Sequence, residues 1–244
     1  MRKNLPAPGN NDPEPETFDC SQCRDTGFLH PLHPNGAVDY SRVIACDCQL
    51  YRIERRRKDH LLASCELPKG TEGLTFERFV IRLGTQEAFE AALELAQGRR
   101  DALRWLILIA PWDRGKTHLA IAACHTWLER SEPALYAYVP DMLRDLRRGF
   151  DRDDFDERFN RYCEVPLLVL DDLGVENDTK WVQEILDSIV DHRYVRRLPL
   201  IITTNLSANQ LPPRIKSRVQ RAPFCEVITI KADEYRLYRG KKHE

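Results

Sequence analysis

The amino-acid sequence predicts an α/β fold with a parallel five-stranded sheet, preceded by a small zinc-binding N-terminal module. Two observations predict this organisation. Strand-like apolar segments alternate with helix-like segments over most of the chain, and four cysteines cluster near its beginning. The chain has 244 residues, of which 42% are hydrophobic and 31% charged. It therefore has the composition of a globular protein and the length for one large core plus a small module.

The chain is expected to divide into three parts. Residues 1–17 are rich in proline, asparagine and acid, which predicts a disordered tail. Residues 18–66 hold the cysteine cluster, many turn-forming residues and a basic linker helix at about Leu50–Ala63, and such a segment cannot build a hydrophobic core unaided. The α/β domain is expected to follow, over residues 67–244.

Two close pairs of cysteines, separated by 22 residues, predict a metal site. These cysteines are Cys20, Cys23, Cys46 and Cys48. Four thiolates in this arrangement can surround a structural zinc ion, whose binding supplies folding free energy. Because the second pair is tighter than Cys-x-x-Cys, His30 and His33 stay open as substitute ligands, and reduced free thiols are the alternative interpretation. The remaining cysteines are expected to be small buried hydrophobes: Cys65, Cys124, Cys163 and Cys225.

The α/β domain is expected to begin with a helix at Thr85–Gln97, with Thr85 as its N-cap and Gly98 at its end. Strands are predicted at Trp105–Ala110, Ala134–Val139, Leu167–Leu170, Leu200–Thr204 and Glu226–Ile230. Further helices are predicted at Lys116–Arg130, at Met142–Arg148 behind an Asp141 cap, at about Trp181–Val190 and over most of Ser207–Val219.

The loop between the first of these strands and the next helix has the composition of a phosphate-binding site. It fits the pattern G-x-x-x-x-G-K-[ST] except for alanine at the first position. Its residues are Ala110, Pro111, Trp112, Asp113, Arg114, Gly115, Lys116, Thr117 and His118. Backbone N–H groups at a helix N-terminus attract phosphate. Lys116 is therefore expected to contact the terminal phosphates of ATP, and the Thr117 hydroxyl to bind Mg²⁺.

Two further strands are followed by polar residues that belong at the same edge of the sheet. Asp171 and Asp172 follow an apolar strand, where Asp171 is expected to bind Mg²⁺ and Asp172 to polarise the attacking water. Asn205 follows the strand Leu200–Thr204, and its neutral amide can orient a water beside the γ-phosphate. Each segment alone is a strand followed by a turn, but their order along the chain indicates ATP hydrolysis.

Taken in this order, the loop, Asp171-Asp-Leu-Gly174 and Thr203-Thr-Asn205 resemble the DnaC/DnaI helicase loaders and the related IstB transposition ATPases. These families are AAA+ P-loop NTPases, and the resemblance runs from about Leu74 to Arg236. It implies an AAA+ domain that binds ATP and single-stranded DNA and forms a homo-oligomer. It also implies a hexameric replicative DNA helicase as partner.

The same resemblance assigns two arginines and supports the metal site. Ile215-Lys-Ser-Arg218 resembles the segment that carries the arginine finger, so Arg218 is expected to reach the ATP of a neighbouring subunit in trans. Asp233-Glu-Tyr-Arg236 resembles the sensor 2 motif, in which Arg236 contacts the γ-phosphate in cis. A guanidinium at either place offsets the charge that develops in phosphoryl transfer. The cysteine cluster resembles the N-terminal zinc module of DnaI-like loaders.

The loop departs from the family pattern Gly-x-x-Gly-x-Gly-Lys-Thr at two glycines, which are Ala110 and Asp113 in this chain. Ala110 is expected to strain the backbone by about 1–2 kcal/mol. A carboxylate at ~5 Å from a phosphate charge costs ~3 kcal/mol at an effective dielectric constant of ~20. The affinity for ATP is therefore expected to be low, while the retained polar residues favour a weak ATPase.

Three functions are open at this point. The leading one is an ATP-dependent loader that delivers a replicative helicase to single-stranded DNA during replication initiation, with the basic run Arg193–Arg221 along the DNA path. The others are a non-hydrolysing adaptor with the same fold and partner, and a transposition helper on duplex DNA, against which the zinc module counts. No apolar run approaches the roughly 18 residues of a membrane span. The N-terminus lacks a signal peptide, so a cytoplasmic protein without a membrane partner is expected.

Overall fold

The computed structural model describes residues 18–98, 104–176 and 179–234. The predicted tail at residues 1–17 and the sensor 2 candidate Arg236 lie outside the described residues. The chain divides into two compact units, residues 1–56 and residues 57–244. This division falls within helix α1 (Asp47–Ser64), whereas the sequence predicts a boundary nearer the C-terminus, after residue 66.

The first unit is built around a two-stranded antiparallel hairpin. Its strands are β1 (Phe28–Leu29) and β2 (Ile44–Ala45), and α1 begins two residues after β2. Gly27 precedes β1 with a φ of 77°, and its carbonyl accepts the Cys46 N–H at 2.8 Å. Over residues 18–56 no aliphatic or aromatic side chain is buried. The described part of this unit therefore has no hydrophobic core of its own, as the sequence predicts for a metal-bound module.

The described part of the second unit contains six helices and five strands in addition to the end of α1. In chain order the elements are α2 (Gln86–Gln97), β3 (Trp105–Ile109), α3 (Lys116–Glu129), β4 (Ala134–Tyr138), α4 (Val139–Arg152), α5 (Phe155–Glu164), β5 (Leu167–Leu173), α6 (Lys180–Arg196), β6 (Leu200–Thr204), α7 (Pro213–Arg221) and β7 (Cys225–Thr229). The five strands β3 to β7 form one parallel sheet in the order β4-β5-β6-β3-β7.

Helices cover both faces of this sheet and produce two hydrophobic cores. In β3, Leu106 and Leu108 face the core formed with α2 and α3, whereas Trp105, Ile107 and Ile109 face the core formed with α4, α5, α6 and α7. Successive strand residues point to opposite faces, and both faces are covered, so the strand is apolar throughout. The sheet is therefore doubly wound, and its carboxyl edge is where ligands bind in such folds.

Several element boundaries differ from the sequence predictions. Helix α4 begins at Val139, so Asp141 lies in its first turn and is not its cap. Helix α5 was not predicted at all, and α7 is shorter than the predicted Ser207–Val219 because Pro213 starts it. Thr85 is the N-cap residue of α2, but its hydroxyl bonds with the backbone of Arg82 and makes no capping bond.

Among the described residues, no helix is long and apolar enough to cross a membrane.

Candidate nucleotide site and cysteine cluster

The loop between β3 and α3 forms a backbone cradle at the carboxyl edge of the sheet. Gly115 has a φ of 88°, and a Cβ at this position would lie 2.8 Å from Cε2 of Phe79, so only glycine fits. Asp113 also has a left-handed backbone, with a φ of 60°. The prediction of backbone strain at Ala110 is wrong, because Ala110 is not among the described residues with positive φ. Its N–H continues the hydrogen bonding between β3 and β6, donating to the Thr204 carbonyl at 3.2 Å. The strained residue is Asp113.

Lys116 lies at the centre of the cradle, buried at 6% exposure. Its Nζ donates to the carbonyls of Ala110 and Pro111, each at 2.8 Å, and to Oδ1 of Asn205 at 2.9 Å. Burial lowers the pKa of Lys116, while the nearby carboxylates of Asp172 and Asp171 oppose that shift. In this state every hydrogen of the ammonium group has an oxygen partner.

Asp171 is the most enclosed carboxylate of the site, at 4% exposure. It accepts hydrogen bonds from the hydroxyls of Tyr136 and Thr203, both at 2.6 Å, and from Thr117 at 3.0 and 3.2 Å. These three donors come from β4, β6 and α3, so both neighbouring strands and the first turn of the P-loop helix hold the carboxylate. Sequence reasoning predicted a role for Thr117 but missed Tyr136 and Thr203.

Asp171 and Asp172 lie within β5, whereas the sequence placed them beyond its end. The register of β5 against β6 shifts between Leu170 and Leu173, which is a β-bulge at the two aspartates. The bulge gives Asp172 a φ of 61° and turns its side chain toward Asn205, whose Nδ2 donates to Oδ1 of Asp172 at 2.8 Å. Burial and the neighbouring Asp171 raise the pKa of Asp172.

The arrangement links three of the predicted site residues in a chain from Lys116 through Asn205 to Asp172. The Thr117 hydroxyl and the Asp171 carboxylate lie side by side and supply the oxygen ligands that Mg²⁺ prefers, so these residues fit that ion. The site can therefore bind phosphate and a divalent cation, and it holds a carboxylate and an amide in position for a water.

A pocket of about 300 Å³ opens beside the loop, lined by Leu74 and residues 113–118. His118 also contacts the chain before α2, with its Nε2 2.8 Å from the Thr75 carbonyl. Trp112 at the loop tip is 76% exposed. Arg114 donates to the Ala232 carbonyl, and its Nη2 is 3.8 Å from the Glu234 carboxylate, so its side chain is directed to the segment after β7.

The basic run Arg193–Arg221 does not form one exposed surface. Arg193 is fully buried and cannot line a DNA path, so that part of the prediction is wrong. Its guanidinium donates to the backbone carbonyls of Tyr162, Cys163, Val165, Pro166 and Pro199. Arg218 lies on α7, where it pairs with Asp191 of the same chain at 2.9 Å.

The four clustered cysteines of the first unit bring their sulfur atoms within 4.8 Å of one another. The Sγ of Cys20 is 3.8 Å from that of Cys46, and the Sγ of Cys23 is 3.3 Å from that of Cys48. Zinc with sulfur ligands at ~2.3 Å needs sulfur separations of about 3.8 Å. The donor set therefore fits a tetrahedral metal ion.

The short Cys46-x-Cys48 spacing is accommodated because α1 begins between the two residues, at Asp47. The two histidines left open as substitutes make other contacts. His30 Nδ1 is 2.8 Å from the Arg42 carbonyl, and His33 Nε2 is 3.7 Å from the Asp39 carboxylate. The candidate ligand set is thus four sulfurs, which would leave no position for a substrate and is typical of a structural site.

Comparison with known proteins places these sites in a family context. Residues 52–243 match the family model described as IstB-like ATP binding protein. The chain is 24% identical over 241 residues to the replicative helicase loader DnaI of Bacillus subtilis (strain 168), a match that covers 91% of this chain and 78% of DnaI. It is 32% identical over 163 residues to a putative ATP-binding protein in an insertion sequence of Mycobacterium tuberculosis, covering 64% of this chain and 63% of that protein.

Among solved structures, the crystal structure of the DnaC helicase loader superposes with a TM-score of 0.59 at 22% identity, covering 67% of this chain and 100% of that chain. At this identity the likeness shows the fold, which is the AAA+ P-loop fold with the parallel five-stranded sheet that the sequence predicts. The insertion-sequence relative is matched over less than two thirds of its length.

Proposed function

The chain belongs to the IstB-like ATP-binding protein family, and on that premise we propose that it is an ATP-dependent helicase loader of the cytoplasm. In this proposal it binds a hexameric replicative DNA helicase, delivers it to single-stranded DNA during replication initiation, and hydrolyses ATP slowly. The observation that carries the proposal is the similarity to DnaI over 91% of the chain, which therefore extends beyond the ATP-binding core.

The geometry at the sheet edge supports the ATPase part. Lys116 would leave the carbonyls and Asn205 to bind the terminal phosphates, and Thr117 and Asp171 would hold Mg²⁺. When bound, the ion neutralises phosphate charge. Asp172 would orient the attacking water together with Asn205, to which it is already bonded. Arg218 from another copy and Arg236 in cis would offset the charge of the transition state.

The first unit supports the helicase part. In this proposal zinc binds the four cysteines and folds the unit, which then docks on the helicase together with the basic helix α1. Its described residues expose large apolar side chains, among them Leu32, Tyr40, Val43 and Tyr51 at 60–77% exposure. A small unit with buried sulfurs and exposed apolar side chains has the surface expected of a protein-binding module.

Co-purification tests the proposal directly. The purified chain is mixed with a hexameric replicative helicase, with and without ATP, and complexes are separated by size. We expect the helicase to be retained, to be released by a chelator that strips the zinc, and to be retained equally by Lys116→Ala, whose zinc unit is intact. Absence of a complex under all conditions would refute the loader assignment.

Two alternatives have specific support. The 32% identity to the insertion-sequence protein favours a transposition helper. A filament on duplex DNA, together with no helicase contact and no preference for single strands, would establish that function instead. The carboxylate of Asp113, which lies on a left-handed backbone in the phosphate-binding loop, opposes phosphate binding and so favours a non-hydrolysing adaptor. A helicase complex with no detectable MgATP binding by the wild-type chain would establish the adaptor.

A further inference from the structure

A single carboxylate on α6 binds two arginines of α7. Both Nε and Nη2 of Arg218 are 2.9 Å from Oδ1 of Asp191, and Nε of Arg214 donates to Oδ2 at 2.7 Å. Each carboxylate oxygen thus has its own arginine, and these bonds are charge-assisted. Although burial opposes it, the two arginines lower the pKa of Asp191.

The face of the Arg218 guanidinium is also held. Its Cζ lies 4.5 Å from the centroid of the Tyr194 ring, within range of a cation–π interaction. The Tyr194 ring is fixed in turn by Trp105 and Phe224, with centroids at 5.9 and 5.6 Å. Arg214 has no such ring contact within the described residues, and its side chain is twice as exposed, at 50% against 25%.

These contacts leave one edge of the Arg218 guanidinium available. A guanidinium is planar and has a side-on edge, formed by Nε and Nη2, and an end-on edge, formed by Nη1 and Nη2. The side-on edge faces Asp191 and one face covers Tyr194. Across the residues that the structure describes, no hydrogen bond engages Nη1. Nη1 is therefore held in a fixed direction without a hydrogen bond to the described residues, while Nη2 also pairs with Asp191.

We propose that Asp191 and Tyr194 are positioning residues for Arg218, which hold its end-on edge toward the terminal phosphate of a nucleotide bound to a second copy of the chain. The inference rests on the proposed function, because it requires Arg218 to act in trans. Charge balance alone does not explain the pairing, since Arg214 by itself would neutralise Asp191. Preorganisation does explain it, because a guanidinium fixed in advance loses little side-chain entropy when phosphate arrives.

The test uses the ATPase rate of the full-length chain as a function of its own concentration, because a trans contribution appears only on assembly. We expect Arg218→Ala to remove the concentration-dependent part of kcat. Asp191→Asn is expected to lower it about tenfold with the MgATP Kd unchanged, since misdirecting a catalytic group reduces the rate and not the binding of substrate. The matched control Arg214→Ala, which removes the other arginine of the same carboxylate, should change the rate less than about twofold.

Mixing variants keeps the test decisive if Asp191→Asn alone is poorly folded. A mixture of Arg218→Ala, with an intact ATP site, and Lys116→Ala, with an intact arginine, should regain activity through the Arg218 of the second protein. The double variant Lys116→Ala/Asp191→Asn should not restore activity in this mixture, because its Arg218 is misdirected. The double variant Lys116→Ala/Tyr194→Phe, which keeps the ring, should restore activity as Lys116→Ala does.

The possible failures are distinguishable. If Arg218→Ala leaves the concentration-dependent rate unchanged, the trans role in the proposed function is wrong, and this inference with it. If Arg218→Ala abolishes that rate while Asp191→Asn keeps the wild-type rate and Lys116→Ala/Asp191→Asn still restores activity in the mixture, only the positioning role is wrong and the proposed function stands.

Discussion

Removal of the carboxylate at Asp113 separates two effects that this residue imposes on the ATP site. Asp113 lines the 300 Å³ pocket with Lys116 and Thr117, and its backbone φ is 60°. Asp113→Asn removes the charge and keeps a side chain that tolerates the left-handed region. Asp113→Gly removes the charge and also the conformational strain. Arg114 does little to screen the charge, because its guanidinium is engaged with Ala232 and Glu234.

The two effects should appear in different measurements. At ~5 Å and an effective dielectric constant of ~20, one carboxylate and one phosphate charge repel by about 3 kcal/mol, so both variants should bind MgATP roughly 100-fold more tightly than wild type. The backbone strain is present with and without nucleotide and cancels in the affinity. Glycine should instead raise the free energy of unfolding by about 1 kcal/mol relative to asparagine.

Isothermal titration with MgATP measures the affinities, and thermal unfolding measures the stabilities. Asp153→Asn is the matched control, since Asp153 has the same backbone conformation, with a φ of 59°, but is exposed at the end of α4. If Asp113→Asn binds no more tightly than wild type while Asp113→Gly does, loop flexibility limits the affinity and the electrostatic reasoning is refuted. Added salt should reduce the difference between wild type and Asp113→Asn.

Three further changes test other parts of the structure. Tyr136→Phe deletes the hydroxyl that donates to Asp171 at 2.6 Å, so a Mg²⁺ titration of nucleotide binding should show a several-fold higher requirement for the ion, with the fold unchanged. Arg193→Ala removes a fully buried guanidinium that donates to five backbone carbonyls and should lower the free energy of unfolding in urea by about 3 kcal/mol or more, whereas the exposed Arg221→Ala should change it little. Cys46→Ser should abolish stoichiometric zinc in metal analysis and leave the MgATP affinity unchanged, because the cysteine cluster lies wholly in the first unit.

The sheet was largely predictable because its strands are covered on both faces and are continuous apolar runs. The predicted Leu200–Thr204 coincides with β6, and Trp105–Ala110 exceeds β3 by one residue. Helix α5 was missed because Phe155–Glu164 is mostly polar in composition, although Phe155, Phe159 and Tyr162 recur in it at helical spacing. Its place in the structure comes from aromatic stacking on α4, where Phe150 and Phe155 lie 4.3 Å apart, and such tertiary packing outweighs local propensity.

Residues of the candidate site could be predicted from the sequence only where they belong to a recognisable motif. Lys116, Asp171 and Asn205 could be predicted because each belongs to a short motif and the three motifs follow one another in a fixed order along the chain. Tyr136 and Thr203 could not, since their bonds to Asp171 depend on the register of three strands, which the sequence does not state. Arg193 was placed on a DNA path because the sequence gives its charge but not its burial.

The contacts of Lys116 show that Asp113 is only one of two reasons to expect weak nucleotide binding. Its ammonium already has three oxygen partners, so phosphate must replace bonds rather than satisfy an empty donor, and only the difference contributes to affinity. One of those partners, Asn205, also holds Asp172. When Lys116 turns to a phosphate, Oδ1 of Asn205 becomes free to accept from a water while Nδ2 still donates to Asp172. In the proposed function, a single amide would thus transmit the presence of the terminal phosphate to the residues proposed to orient the water. On this proposal, weak nucleotide binding and nucleotide sensing would have the same physical origin, namely the bonds that Lys116 makes before phosphate arrives.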